Sequence, residues 1–484
     1  MTQITSNSGL AKQSALSEFE QLLGPKGYST DADVLAPWLT DWRGRFTGKA
    51  AAMLSPADTA QVSKILQIAA AYRIAVVPQG GNSGMVAGAT PDDSGNAVIL
   101  SLRRMNQISD YDANEGSITC GAGVILQNLH DAAAANRRRF PLTLGGKGSA
   151  TIGGLVSTNA GGTQVLRHGT MRALVNGIEA VLPDGSIYHG LSPLQKDNRG
   201  YDIKHLMIGA EGTIGIVTAA TLQTVPALID RSVVWAAVES PQAAYALLLF
   251  MRNAVKDALE GFEILPQAAL DAVVSHIPGT RRPLQRSHPW HVLIELVQDS
   301  SGQPPPDELA LRFIGDAMRM GYIQDAVISG NEAQAEAFWK IRDSIAEAER
   351  AQGPALQHDI SVPVADMARF ITEESPKVEA AFPGTRVIAF GHLGDGNIHY
   401  HVKAPLGVHD GNWNNENTKA ISSHVYDRVA AYNGSISAEH GIGQLKIEEL
   451  ARLTDPARLL TLRAIKMALD PLGIMNPGKL VPLA

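Results

Sequence analysis

The stretch Arg386–Pro405, RVIAFGHLGDGNIHYHVKAP, gathers three histidines around a turn signal. Two strand-like runs flank LGDGN, and Asp395–Gly396 reads as a two-residue hairpin turn. Centring the turn there sets His392 directly opposite His399, and opposed residues keep their Cβ atoms about 4.5–5.5 Å apart on one face. The two-residue side-chain period places His401 on that face as well. A lone strand histidine is usually inert, but two imidazoles so placed can converge on one divalent ion, and a carboxylate would complete the set. The segment SISAEHGIGQLK offers Glu439 for that purpose. Neither HExxH nor HxxEH occurs, so a zinc-protease pattern has no support.

A second signal lies in three glycine-rich blocks: PQGGNSGMVAG (Pro78–Gly88), LGGKGSATIGGLVSTNAGG (Leu144–Gly162) and IGAEGTIGIVT (Ile208–Thr218). Without a Cβ, consecutive backbone N–H groups can close on an anion and form a nest that suits phosphate. One block alone would read as a turn. Three, separated by strands and interspersed with Ser, Thr and Asn, point to a long phosphate-bearing cofactor. GAGVIL at Gly121 lacks the final glycine of GxGxxG, and Lys147 is followed by Gly148, so neither the dinucleotide fingerprint nor the P-loop is present.

The elements that must hold these residues follow from periodicity. Residues 9–24 and the stretch SPADTAQVSKILQIAAAYR carry apolar residues at helical spacing, the latter with Ser55 as expected N-cap. A short strand, Ile74–Pro78, leads into the first glycine block. From there to about Val225 short β-branched runs alternate with glycine turns, a pattern of antiparallel strands rather than βαβ repetition, with Asp184–Gly185 as a hairpin. Past Pro226, strand-like SVVWAAVES and HVLIELVQ alternate with the helical PDELALRFIGDAMRMG and NEAQAEAFWKIRDSIAEAERAQG. The expected division is 1–37 as an N-terminal helical segment, 38–226 as one domain and 227–484 as a second, with the final PLGIMNPGKL docked rather than frayed.

Composition narrows the class. The 484 residues carry a net charge of −7, which argues against a nucleic-acid partner or a polybasic membrane anchor. The single Cys120 excludes an intrachain disulfide, a cysteine zinc site and an iron–sulfur cluster. The longest apolar run, Ala243–Met251, is half a bilayer span, so no transmembrane segment is expected. The N-terminus lacks the basic-then-apolar layout of a signal peptide, and a cytoplasmic location is the expectation.

The glycine blocks, RHGTMRALVNGIEAVLPDG and KDNRGYDIKHLMIGAEGTIGIVT resemble the flavin-binding domain of the vanillyl-alcohol-oxidase (PCMH-type) superfamily. Within it, the D-2-hydroxyacid dehydrogenases, which include the D-lactate and D-2-hydroxyglutarate enzymes, are the most similar branch. The resemblance runs from about residue 38 to the end. It implies an α+β fold: a PCMH-type FAD-binding domain, then a FAD-linked oxidase C-terminal domain with an antiparallel sheet and helices. It implies FAD, with Pro78, Gly80, Gly81, Asn82, Ser83 and Gly84 at the pyrophosphate loop. Gly146, Ser149, Gly153, Gly154, Thr158, Asn159, Glu211 and Ile216 would surround the adenosine and flavin, and Asn476 in MNPGK would reach the flavin. Some relatives tether the flavin through a His or Cys in the first loop. Gln79, Asn82 and Ser83 stand here, so non-covalent FAD is expected.

The family pattern GHxGDGNxH…EHGxG matches His392, His399, Glu439 and His440. By resemblance the first three hold zinc or a similar divalent ion and His440 is the base, taking the hydroxyl proton as hydride leaves Cα for the flavin. The substrate is then a small D-2-hydroxy acid, the product a 2-oxo acid, and a separate acceptor (a flavoprotein, quinone or cytochrome) reoxidises the cofactor. A homodimer is the expected assembly.

Arg342, in FWKIRDSIAEAE, is the expected partner of the substrate carboxylate, because a guanidinium can grip it through two parallel N–H bonds. Around it the chain departs from the hydroxyglutarate branch at three substrate contacts. Ala346 replaces a hydroxyl residue, Gln357 a lysine and His401 an asparagine. Losing the lysine weakens the case for a second, distal carboxylate. Competing readings are D-2-hydroxyglutarate dehydrogenase proper, a flavin-binding subunit of a glycolate-oxidase-like complex, an oxidase or transferase acting on an aldonolactone or ether lipid, and a purely structural metal site. The last two leave the histidine hairpin or its open coordination positions unexplained.

Overall fold

The computed structural model describes residues 2–192, 194 and 196–483 and folds as two units. The first is assembled from three stretches of chain: up to Gly162, Gly169–Val225, and from Glu439 onward. Its leading helix, Thr2–Leu23, buries Ala15, Phe19 and Leu23 at i, i+4 and i+8. The next long helix is Thr59–Tyr72, and its N-cap is Asp58 rather than Ser55. The Asp58 carboxylate accepts from the Gln61 amide at 2.8 Å, satisfying one of the unpaired donors of the first turn. Val62, Ile65, Leu66 and Ala69 form its buried stripe, and Arg73 ends it in the left-handed conformation.

That helix carries the chain from Ala52–Leu54 to Val76–Gln79, both of which pair in parallel with Val98–Ser101. The first glycine block therefore leaves a parallel corner, which the antiparallel reading of this region did not anticipate; a helical crossover returns the chain in the same direction. The antiparallel expectation describes the second sheet, ordered Ser117–Gly121, Ile216–Gln223, Val175–Val181, Ile187–Gly190. Gly185, at φ 86°, makes the hairpin turn between the last two in sequence.

The C-terminal stretch belongs to this first unit. Ile474 and Met475 lie in one apolar core with Val76, Val98 and Leu100, and the Val76 amide and carbonyl bond Ile474 and Asn476 at 2.8 Å each. The sequence reading carried the second domain to residue 484; in the structure the second unit ends at Ala438. Buried polar pairing draws the tail back. Lys466, 3% exposed on the helix Pro456–Leu469, donates to Asp470 and to the carbonyls of Thr213 and Met475 at 2.5, 2.7 and 2.8 Å.

The second unit comprises Thr163–His168 and Pro226–Ala438. Its seven-stranded sheet runs in the order Asp325–Ile328, Asp230–Val238, Trp290–Gln298, Leu259–Pro266, Arg386–His392, Asn397–Lys403, Ala355–Ser361, each neighbour antiparallel. The helical stretch expected around Arg342 divides at Ser344 into Glu332–Asp343 and Ile345–Ala351. Both helices pack onto one face of the sheet, burying Trp235, Leu265, Leu293 and Phe390 with Phe338, Ile341 and Ile345.

Candidate active site

The histidine hairpin forms, in a register different from the one its turn signal implied. His392 pairs with Asn397, and Phe390 with His399, so the loop is the four-residue Leu393–Gly396. The amides of Asp395 and Gly396 both bond the His392 carbonyl, at 3.2 and 3.0 Å. The Asp395 side chain accepts from the Asn397 amide at 3.1 Å, which closes the wider turn. Gly396 is required there: φ is 85°, and a Cβ would lie 2.2 Å from the Val362 carbonyl oxygen. His392 and His399 are therefore diagonal rather than opposed. The shift is an even number of residues along the partner strand, so every side chain keeps its face. The rings of His392 and His399 lie 5.3 Å apart edge to face, and Phe390 stacks 5.1 Å from both His399 and His401.

Neighbouring strands add carboxylates to that face. Glu263, 1% exposed, sits opposite His392 and is held between that imidazole and the Arg342 guanidinium. Its Oε1 meets His392 Nδ1 at 2.5 Å, its Oε2 accepts from Arg342 Nε at 2.8 Å, and Arg342 Nη2 lies 3.3 Å from His392 Nε2. Burial would raise the Glu263 carboxyl, yet Arg342 and His392 hold it well below the ordinary range. For His399, desolvation and then the positive charge of Arg342 and His392 push the imidazole well below its usual value, leaving a neutral ring with a lone pair to give. Asp359 stands opposite His399 and accepts from Asn397 Nδ2 at 2.9 Å. Its carbonyl receives the Ala438 amide at 3.4 Å, one residue before Glu439.

Arg342 thus stands on the histidine face. Gln357 pairs with His401, and His401 Nδ1 bonds the buried Glu349 carboxylate, whose backbone oxygen takes Lys403 Nζ at 2.6 Å. Ala346 lies on the same helix as Glu349, Ile345–Ala351. Sequence reasoning missed Glu263, Glu349 and Asp359. The available signal was a carboxylate inside an apolar strand, LEGFEILP, which has to find a buried cation.

In the first unit the three glycine blocks come together. A Cβ on Gly80 would lie 2.1 Å from Thr151 Oγ1, and one on Gly81 would lie 1.8 Å from the Ser149 carbonyl oxygen. Gly153 packs as closely on Ala122, at 2.6 Å, seating the helix Ile152–Thr158 against the strand before it. Asn82, at φ 52°, donates to the Thr40 carbonyl at 2.9 Å, while Ser83 and Gly84 continue the loop; a Cβ on Gly84 would meet nothing within 4 Å. Pro78 closes against Gly212, 2.3 Å from its would-be Cβ, and Gly146 against Leu144 at 3.3 Å. A Cβ on Gly154 would touch only Thr151 Oγ1, at 3.5 Å. Ser149 and Thr158 spend their hydroxyls on the Gly146 and Gly154 carbonyls, at 3.4 and 3.0 Å. Asn159 accepts from the Arg172 amide and Thr170 Oγ1, and Ile216 is buried in the core. Asn476 donates to the carbonyls of Gly88 and Glu211, at 2.9 and 2.8 Å. Thr151 Oγ1 and Asn476 Oδ1 are buried with no hydrogen-bond partner, polar atoms a cofactor can satisfy.

The chain matches the family described as FAD binding domain over residues 50–190 and the family described as FAD linked oxidases, C-terminal domain, over residues 229–480. A protein of Arabidopsis thaliana named mitochondrial D-2-hydroxyglutarate dehydrogenase is 36% identical over 469 residues, covering 96% of this chain and 81% of that one. The D-2-hydroxyglutarate dehydrogenase of Xanthomonas citri pv. viticola is 34% identical over 443 residues, covering 91% of each. A putative mitochondrial D-lactate dehydrogenase of Schizosaccharomyces pombe is 33% identical over 481 residues, covering 96% of this chain and 89% of that one. The structure of p-cresol methylhydroxylase with substrate bound shares the fold at a TM-score of 0.75 and 15% identity, over 97% of this chain and 96% of that one. The cytoplasmic expectation does not stand, because the Arabidopsis, fission-yeast, Bos taurus and Danio rerio relatives are all named mitochondrial. No helix among the described residues is long and apolar enough to cross a membrane.

Proposed function

This chain belongs to the FAD-linked D-2-hydroxyacid dehydrogenase family, with a PCMH-type FAD-binding domain, and from that premise we propose how its own residues convert a D-2-hydroxy acid to the 2-oxo acid. The observation that carries the reading is the Glu263–Arg342–His392 triad on the histidine face of the sheet. Bound FAD supplies the two-electron acceptor for the hydrogen leaving Cα. Gly80, Gly81, the Thr151 hydroxyl and the Asn476 carboxamide fit such a group, as close backbone approach beside orphaned polar atoms requires. With no His or Cys in Gln79–Gly84, the cofactor is held non-covalently, and acid precipitation should release the chromophore into the supernatant.

Arg342 binds and orients the substrate carboxylate, with Glu263 fixing the guanidinium by its Nε edge. By the family resemblance, His392, His399 and Glu439 would hold a divalent ion, zinc or similar, and such an ion would supply Lewis acidity to the substrate hydroxyl. The Glu263 contact at Nδ1 favours the His392 tautomer whose lone pair sits on Nε2, the atom that Arg342 Nη2 also approaches. His440 takes the hydroxyl proton as the Cα–H bond breaks, and bound FAD would be the group that accepts that bond's electron pair. His392→Ala, His399→Ala or Glu439→Ala should cut turnover strongly with the flavin spectrum kept; full activity in protein shown to be metal-free would end this assignment.

For the tail of the substrate, His401 already bonds the Glu349 carboxylate and Lys403 already donates to the Glu349 backbone carbonyl, so both donors of this corner are engaged within the protein. A D-2-hydroxy monoacid, or one with a neutral tail, fits best. D-2-hydroxyglutarate is the second reading, favoured by the names of several relatives. Anaerobic flavin reduction by D-lactate, D-2-hydroxyglutarate and their L-enantiomers decides. Bleaching by neither D-acid would overturn the function, and a higher kcat/KM for D-2-hydroxyglutarate would overturn the tail.

A further inference from the structure

Glu211 stands in the third glycine block, where the resemblance assigned it to the cofactor, and its carboxylate lies against backbone amides of the C-terminal segment within the first unit. Oε1 accepts from the Ile442 amide at 2.7 Å, and Oε2 from the Gly443 amide at 2.8 Å. These are consecutive N–H groups of EHGIGQ, bracketed by Gly441 at φ 82° and Gly443 at φ 51°. Such an arrangement is an anion-binding nest, here filled by the chain's own carboxylate. A Cβ on Gly441 would lie 2.7 Å from Glu211 Oε1, and one on Gly443 would lie 2.1 Å from the Val86 carbonyl oxygen, so both glycines are needed for the close approach. Glu211 itself is held at φ 51°, an uncommon conformation for a non-glycine residue, which surroundings must over-determine.

The surroundings do so. Asn476 Nδ2 donates to the Glu211 carbonyl, and the Glu211 amide donates to Ser157 at 2.8 Å. Gln444 Nε2 donates to the Ala87 and Thr90 carbonyls at 2.9 Å each, and the Gln444 amide to Val86 at 3.0 Å. The Leu480 amide closes on the Gly443 carbonyl at 3.1 Å. The first and third glycine blocks and the C-terminal tail thus converge on Gly441–Gln444, directly after His440. His440 stands two residues before the first clamped amide, within about 7 Å of chain.

We propose that Glu211 is a positioning residue: its carboxylate fixes the backbone of the Gly441–Gly443 turn and through it the place of His440, joining the cofactor-binding loops to the proton acceptor. The proposal rests on the reading of His440 as the base. A misplacement of about 1 Å at a reacting group can cost about 10²-fold in rate, so the clamp acts on turnover rather than on substrate affinity.

The test uses the full-length, FAD-loaded enzyme, with anaerobic rapid mixing against D-lactate and D-2-hydroxyglutarate in parallel. In Glu211→Gln the carboxamide can accept from only one of the two amides. The limiting rate of flavin reduction should fall at least about tenfold, with KM within about threefold, and with flavin content and absorption spectrum unchanged. In a His440→Ala background the same change should lower the rate less than about twofold, because the two act through one group. An unchanged rate, a loss that tracks flavin content, or an equal loss in both backgrounds would overturn the proposal. Should Glu211→Gln not fold, Glu211→Asp, which withdraws the carboxylate by one methylene, is held to the same criteria. A His440→Ala enzyme that reduces flavin at the wild-type rate overturns the base reading itself, an outcome seen without any Glu211 variant.

Discussion

Glu263 shows how one residue can organise a face of the sheet. Its carboxylate is almost wholly buried, a costly place for charge, and it survives there only because Arg342 and His392 both answer it. Glu263→Gln would keep the shape, halve the acceptor capacity and release one of its two donors, Arg342 or His392. The expected result is a fall in kcat/KM of about 10²-fold or more with an unchanged flavin spectrum, measured by steady-state kinetics on the FAD-loaded variant. Cys120 is the opposite case, a single thiol with nothing to answer it. Burial pushes it up to about 12, so at pH 8 only about one molecule in 10⁴ carries the thiolate. Native protein should resist iodoacetamide at pH 8 and take up one equivalent in denaturant. Rapid labelling of the native state, read by intact mass, would show that the thiol is not packed as described.

Among elements, the helix Pro456–Leu469 and the turn after it are held by Lys466 more than by apolar contact. Lys466 is the one fully buried side chain among those described on that helix, and it supplies donors to Asp470 and to two carbonyls of other segments. Desolvation lowers the ammonium, while the Asp470 hydrogen bond and charge work against that. Lys466→Ala would strand the Asp470 carboxylate and two buried carbonyls, at a cost of about 3–5 kcal/mol. The urea midpoint should fall accordingly, and the variant should lose flavin on dilution, since Met475 and Asn476 are anchored by the same network. A midpoint within error of wild type would refute this. The hairpin Arg386–Lys403 makes the complementary point: its loop came out two residues longer than the Asp395–Gly396 signal implied, yet the even period of a strand kept all three histidines together.

At the scale of the whole molecule, the chain leaves its first unit at Pro226 and returns to it at Glu439. The segment from Glu439 onward fills part of the first core through Ile474 and Met475 and supplies the Glu211 clamp and Asn476. A protein ending at Ala438 should therefore lose more than the proposed metal ligand Glu439 and the proposed base His440. It should not retain FAD, and its first unit should unfold at lower temperature than that of the full chain. A truncated protein that purifies yellow, with one flavin per chain, would contradict that.

Much of this was legible in the residues. The three glycine blocks pointed to a long phosphate-bearing cofactor and the histidine hairpin to a metal or active-site cluster, because backbone approach and ligand chemistry demand particular residue types at short spacing, while the D-2-hydroxyacid dehydrogenase family came from the resemblance those motifs carry. Helices and most strands followed from local period. What the sequence could not show were partnerships between residues far apart along the chain. Glu263 meeting Arg342, Glu349 meeting His401 and Glu211 meeting Ile442 and Gly443 leave no short-range trace. The same holds for the parallel corner at Val76–Gln79 and for the return of the tail, which depend on which core an apolar pair such as Ile474 and Met475 joins. Local spacing selects residue types, but a buried charge finds its partner only once the chain has closed around it, and that the tertiary structure alone decides.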